Sequence, residues 1–357
     1  PFPSPYGKNW NGGLADEQSW HQRSAAFGAA GGAFIAGIYL IIKYRHVKRE
    51  MGIRRVKTNP ELLSKILKIA IPISIGATVG TIMNLIDSIL VPQKLVESGV
   101  ANATALYGQL TGKAAVLVNI PLTLSVAICT SLIPIIAENY ILNRKEEMQS
   151  KINIAMKLSA VIAMPATLGM FCLAGPIMKL VFFDRYEGIE ILRYLSISIP
   201  FVIVTQTTTS VLQATNHYIR PVINLVIGCI VKVILTTILV PIPEINIFGA
   251  VIASISAYVV VTILNLIALK SKIKCKVSIY DSFIKPAYAS VAMIVVVLFS
   301  YDFIMKKIDS NSISCLLSIF MGIIIYIIAI LLFKVFNVDE IKNRLVRKWC
   351  KESTVQW

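Results

Sequence analysis

Nine stretches of this sequence are each long and apolar enough to cross a lipid bilayer: about 24–44, 66–91, 110–137, 155–183, 189–213, 219–241, 248–270, 282–304 and 313–336. A hydrocarbon core about 30 Å thick takes about 20 residues of helix to cross. No water is present there to satisfy a bare amide, so each span must bond its own backbone, as a helix does. A membrane barrel would need alternating polarity, and a run such as GIIIYIIAILLF (322–333) does not alternate. The predicted fold class is all-α, a polytopic membrane protein with nine transmembrane helices.

Composition agrees. Of the 357 residues, 56% are hydrophobic and only 15% charged, with a mean hydropathy of +0.71. Soluble domains carry about 25% charged residues, so a soluble enzyme or a disordered chain is excluded. The net charge of +16 reflects where the lysines and arginines sit. Residues 43–68, 144–157, Arg220, 270–285 and 334–357 hold 25 of them, against seven in the intervening loops. Basic loops stay on the cytoplasmic side. The first span therefore runs inward, and the C-terminus is predicted to be cytoplasmic in a multi-pass protein of the cell membrane. Nucleic-acid binding would need a soluble folded face that such a chain lacks.

The organisation follows from the spans. Residues 1–23 are polar and rich in Pro, Gly and Trp, and read as an irregular or artefactual segment at the start of an N-terminally truncated chain. A single span (24–44) and a basic linker (45–65) precede six spans over 66–270. Two further spans occupy 271–336, and 337–357 form a basic tail. The six cysteines form no CxxC pair and no disulfide framework: Cys129, Cys172, Cys229 and Cys315 lie in apolar runs, Cys275 and Cys350 in basic loops.

Polar groups at depth are where function is sought. In the second span Ser74, Thr78, Thr81, Asn84 and Ser88 recur at steps of three or four, with Asp87 beside them. Asp87 reads either as a cation- or proton-binding carboxylate in a water-filled cavity, or as an interfacial residue solvated by headgroups. Lys232 is the basic residue nearest a span's middle, and a central lysine costs about 2.5–3.5 kcal/mol to insert. It calls for a buried partner or a cavity, or else it snorkels outward. Lys113, near the outer start of the third span, reads more simply as snorkelling. Asn119 on the third span and Gln206, Thr207, Ser210 and Gln213 on the fifth read as groups that tie helices together. Pro72, Pro121, Pro134, Pro165, Pro176 and Pro200 are expected to bend their helices.

No catalytic constellation is present: HExxH, P-loop and GxSxG are all missing from the sequence. His21, His46 and His217 lie far apart, are read as loop residues, and lack metal-ligand spacing. The expectation is a non-enzymatic protein with no cofactor.

The stretches LLSKILKIAIPISIGATVGTIMNLIDSILVPQKL (62–95) and ALYGQLTGKAAVLVNIPLTLSVAICTSLIPIIAE (105–138) resemble the two helices that open the second lobe of polysaccharide-export flippases. MPATLGMFCLAGPIMKLVF (164–182), VLQATNHYIRPVINLVIGCIVKVILTTILVP (211–241) and FGAVIASISAYVV (248–260) extend the likeness across residues 24–336. It is to the branch of stage V sporulation protein B and the MurJ-like lipid II flippases, within the multidrug/oligosaccharidyl-lipid/polysaccharide exporter superfamily. The resemblance implies a fourteen-helix fold of two six-helix lobes and two further helices. This chain then supplies the last helix of the first lobe, the whole second lobe and the final pair.

It also implies a function. A flippase of this kind carries a lipid-linked saccharide to the outer leaflet by alternating access, in cell-wall, spore-cortex or polysaccharide synthesis. Lys232 matches a recurrent lysine of the family and Asp87 its acidic position, while Lys113 falls in a helix where MurJ carries a cavity arginine. Lys232 and Lys113, with Asn84, Asn119 and Gln206, become candidate substrate-binding residues. Asp87 becomes the candidate for coupling to Na⁺ or H⁺. Implied partners are a lipid-linked oligosaccharide, membrane lipids and cell-wall synthases. The alternatives are a cation-coupled multidrug antiporter of the same superfamily, or a non-transporting fragment that acts as a scaffold.

Overall fold

The computed structural model describes residues 34–50, 60–183, 186–273 and 280–335, with a few single positions besides. Among them the chain is helical apart from short connections and contains no strand. Helix α1 (34–50) belongs to an N-terminal unit, residues 1–65; a second unit holds 66–357. His46 lies within α1 rather than in a loop, 3.4 Å from Glu50 one turn on. The expected irregular segment 1–23 and basic tail 337–357 fall outside the described residues.

The second unit is built from α2 (Pro60–Glu97, of which the part from Ile66 belongs to it), α3 (Ala103–Ile141), α4 (Lys145–Cys172), α5 (Ala174–Phe182), α6 (Ile189–Ala214), α7 (Ile219–Leu239), α8 (Ile247–Ile273), α9 (Tyr280–Ile308) and α10 (Asn311–Leu332). Eight of these, all but α5, are long and apolar enough to cross a membrane. The ninth expected span, 24–44, is described only in part.

Sequence sets the breaks. The expected span 155–183 is two helices, because Pro176 has no N–H for the carbonyl of Cys172 and its ring crowds that position. The chain turns at Leu173 (φ −97°, ψ 20°) and restarts as α5. Pro200 acts likewise on Ser196, and a 3₁₀ turn at Ser196–Ser198 interrupts α6 just ahead of it. Pro72, Pro92, Pro121, Pro134 and Pro165 instead lie inside continuous helices. Asn143, Asn216 and Asp309 take positive φ at helix ends, where short polar side chains tolerate the left-handed region. Asn246 caps α8 by accepting a bond from the Ile247 amide at 2.6 Å.

Two apolar layers lie at opposite ends of the bundle. One joins Val91 and Leu95 of α2 to Leu117, Met178, Leu192, Ile199 and Val251. The other joins Ile136, Met148, Ile152, Met156, Val211 and Leu269. Between them the helices are tied by polar groups. Thr207 lies 2.5 Å from Ser159 and 3.3 Å from Cys129, linking α6 to α4 and α3. Asn265 accepts from Asn224 at 2.8 Å and donates to Thr208 and Thr209 at 3.2 and 3.1 Å, linking α8 to α7 and α6. In a membrane such ties and close packing replace the hydrophobic drive between helices. Helices α9 and α10 pack together beside α4, and the Tyr326 hydroxyl donates to the Val161 carbonyl at 2.8 Å.

Candidate functional site

Every fourth residue of α2 from Val79 to Leu95 points inward: Val79, Met83, Val91 and Leu95 are buried. Asp87 occupies the one remaining place in that series, so this apolar stripe carries a carboxylate at its centre. The polar series expected to define the face (Ser74, Thr78, Thr81, Asn84 and Ser88) is exposed instead. Thr78, Thr81 and Ser88 turn their hydroxyls back onto carbonyls of their own helix, a short-range bond open to Ser and Thr anywhere in a helix.

Helix α7 has a matching stripe, in which Pro221, Asn224, Gly228, Lys232 and Thr236 are all buried. Gly228 explains why α7 comes close enough to deliver the lysine. A Cβ there would collide with the Val261 side chain of α8 and lie 3.4 Å from the Ala257 carbonyl. One turn on, the Lys232 ammonium donates a hydrogen bond to Asp87 Oδ2. Only 9% of the lysine side chain and 20% of the aspartate side chain are exposed. Lys232 therefore does not snorkel; its charge is met inside the bundle.

The pair lines a cavity of about 440 Å³ among α2, α3, α6, α7 and α8. Asn84 and Asn119 line it too, as do Tyr107 of α3 and Tyr258 of α8. A π-helical turn at Gln109–Ala114 precedes the main run of α3. Leu110, Thr111 and Ala115 in and beside this turn face the cavity. Turns of this kind widen a helix locally and recur at functional sites.

Two other expected site residues are placed elsewhere. Lys113 reaches Glu187 Oε2 at 2.7 Å and lies 5.7 Å from the Phe182 ring, on the side of the turn away from the cavity lining. Gln206 follows Ser198 and Val202 at steps of four on α6, one turn beyond the cavity wall that they form. Its Oε1 is buried without a hydrogen-bond partner. The two tyrosines were not singled out in the sequence. Ser254 and Tyr258, four apart in the first half of α8, were the available signal.

Among the described residues no group of three or more His, Cys, Asp or Glu side chains could hold a metal ion. The site's chemistry is that of one cation, one anion and several neutral hydrogen-bonding groups in an apolar wall. It can exchange ionic partners and bind polar ligands.

The family model described as "Lipid II flippase MurJ" matches residues 13–307. The chain belongs to the MurJ family. Among curated relatives, the MurJ-family chain is 24% identical over 332 residues to "Stage V sporulation protein B" of Bacillus subtilis (strain 168), which covers 89% of this chain and 62% of that protein. It is 25% identical over 278 residues to "Lipid II flippase MurJ" of the same organism, covering 74% of this chain and 49% of that one. The chain thus spans about half to three fifths of the length of these relatives. A solved structure, "Lipid II flippase MurJ, inward closed conformation", superposes with a TM-score of 0.57 at 17% identity, covering 82% of this chain and 59% of that one. The all-helical membrane fold is therefore shared with MurJ.

Proposed function

We propose that the protein takes part in flipping a lipid-linked saccharide across the cell membrane, with Lys232 as the cation that meets its phosphate groups. The observation that carries this reading is the ion pair between Lys232 and Asp87 on the wall of a cavity of about 440 Å³. The buried lysine is positioned by an internal anion. A diphosphate offers more charge and more acceptor oxygens than one carboxylate, so it can displace Asp87 from the ammonium. Asp87 is then left as a buried anion, which a proton or Na⁺ neutralises. Substrate entry and cation entry are thereby linked through a single exchange of partners. Asn84, Asn119, Tyr107 and Tyr258 supply neutral hydrogen bonds to the headgroup.

The resemblance to stage V sporulation protein B and to MurJ supports a role in cell-wall or spore-cortex precursor export, with cell-wall synthases as downstream partners. The distribution of basic loops supports an orientation with 144–157 and 270–285 in the cytoplasm.

The test is binding of undecaprenyl diphosphate to the purified intact protein. Wild type should bind it and be competed by inorganic pyrophosphate, and Lys232→Met should lose at least tenfold in affinity. Equal binding by the variant would overturn the assignment of Lys232.

A further inference from the structure

A second cavity, of about 340 Å³, lies at the other ends of α3 and α8, where the basic loops gather. It is walled by the last residues of α3, the first turns of α4 and the end of α8. Lys145 from α4 and Lys272 from α8 both line it. No carboxylate among the described residues pairs with either lysine. The carboxylates nearest in sequence, Glu146 and Glu147, lie outside the lining, and Glu147 is taken up by Arg144 at 3.7 Å. Tyr140 and Asn143 add neutral donors to the same wall. The start of α4 has no side-chain cap, so its first amides add partial positive charge on this side.

The rest of the lining is Asn139 and Gln149, which are polar, and Met148 and Ile273, which are apolar. Beside it Ile141 and Leu142 are 72% and 50% exposed at the end of a membrane-spanning helix. Two unpaired ammonium groups above an exposed apolar ledge fit a molecule with a phosphate head and hydrocarbon tails. A free phosphate ion would make no use of the ledge.

We propose that this cavity seats the headgroup of an anionic phospholipid bearing a single phosphodiester, such as phosphatidylglycerol, in the leaflet on the side of the basic loops. Lys145 and Lys272 contact the phosphate, and the acyl chains lie along Ile141 and Leu142. The proposal does not depend on what the other cavity carries.

The experiment is native mass spectrometry of the delipidated intact protein mixed with equal amounts of phosphatidylglycerol and phosphatidylcholine. Wild type should retain one phosphatidylglycerol in preference by roughly tenfold, given the usual strength of lysine contacts with anionic headgroups. The preference should disappear in Lys145→Gln/Lys272→Gln and survive in Lys145→Arg/Lys272→Arg. It should also survive in Lys306→Gln/Lys307→Gln, which removes two charges from the opposite end of the bundle. The single Lys272→Gln should weaken it by a few-fold, and provides the reading should the double glutamine variant fail to fold. An unchanged preference in the glutamine variants, an equal loss in Lys306→Gln/Lys307→Gln, or displacement of the lipid by inorganic phosphate would each overturn the proposal.

Discussion

Asp87 and Lys232 stand 145 residues apart in the chain and share one ion pair inside the bundle. Each lies on the buried stripe of its own helix, so packing α2 and α7 inward forces the two charges together. Removing either one strands the other. Breaking a buried pair typically costs about 3–5 kcal/mol, whereas replacing both partners with apolar groups costs far less. Asp87→Leu and Lys232→Met should therefore each lower the melting temperature in detergent, and the double variant should be more stable than either single. A strictly additive double-mutant cycle would show that the pair is not formed.

The polar ties differ in what they leave behind. Thr207→Val removes a hydroxyl whose neighbour Ser159 still bonds the Ala155 carbonyl, so a loss of about 0.6 kcal/mol is expected, the average for such bonds in membranes. Asn265→Leu strands the Asn224 amide and the Thr209 hydroxyl, while Thr208 keeps its bond to the Val204 carbonyl, and should cost about 1–3 kcal/mol. Unfolding in mixed micelles measures both, and the order of the two losses is the prediction.

Close approach of helices sets a third expectation. A Cβ at Gly228 would collide only with the side chain of Val261, its 3.4 Å approach to the Ala257 carbonyl being ordinary contact, but one at Gly249 would lie 2.8 Å from the backbone of Leu239 and Val240. Gly228→Ala should destabilise by about 1–3 kcal/mol and be rescued by Val261→Ala. Gly249→Ala should reduce folded yield more severely, with no side chain available to trim. Size-exclusion profiles of the solubilised variants report both outcomes.

Orientation is tested by labelling. In a background without native cysteines, Asp309→Cys should react with an impermeant maleimide added to intact cells, and Glu147→Cys should react only after permeabilisation. The reverse pattern would invert the topology read from the basic loops.

Much of this was legible in the sequence because a bilayer imposes its thickness on every span. The helices from α2 to α10 lie where apolar runs predicted them, except where Pro176 divides one run at Leu173 and so creates α5. The site was legible in part. Lys232 stands out because a lysine deep in a span needs a partner, and Asp87 because it is a carboxylate on a polar helix. Their pairing was not legible, since the polar series on α2 drew attention to the exposed face and away from the stripe that holds Asp87. Lys113 shares a helix with cavity residues but not their angular position, whereas Gln206 shares the face of Ser198 and Val202 but falls one turn beyond the cavity. In Lys113's case the π-helical turn at Gln109–Ala114 alters the register in a way that the spacing of residues does not encode.

The central claim is that Lys232, paired with Asp87, meets the phosphates of a lipid-linked saccharide during its passage outward. The most direct measurement is the amount of lipid II exposed on the outer leaflet of cells depleted of their own flippase and supplied with the native gene product. The account predicts that wild type restores exposure, that Lys232→Met abolishes it at equal protein level, and that Lys306→Gln leaves it intact. Normal exposure in cells carrying Lys232→Met would contradict it.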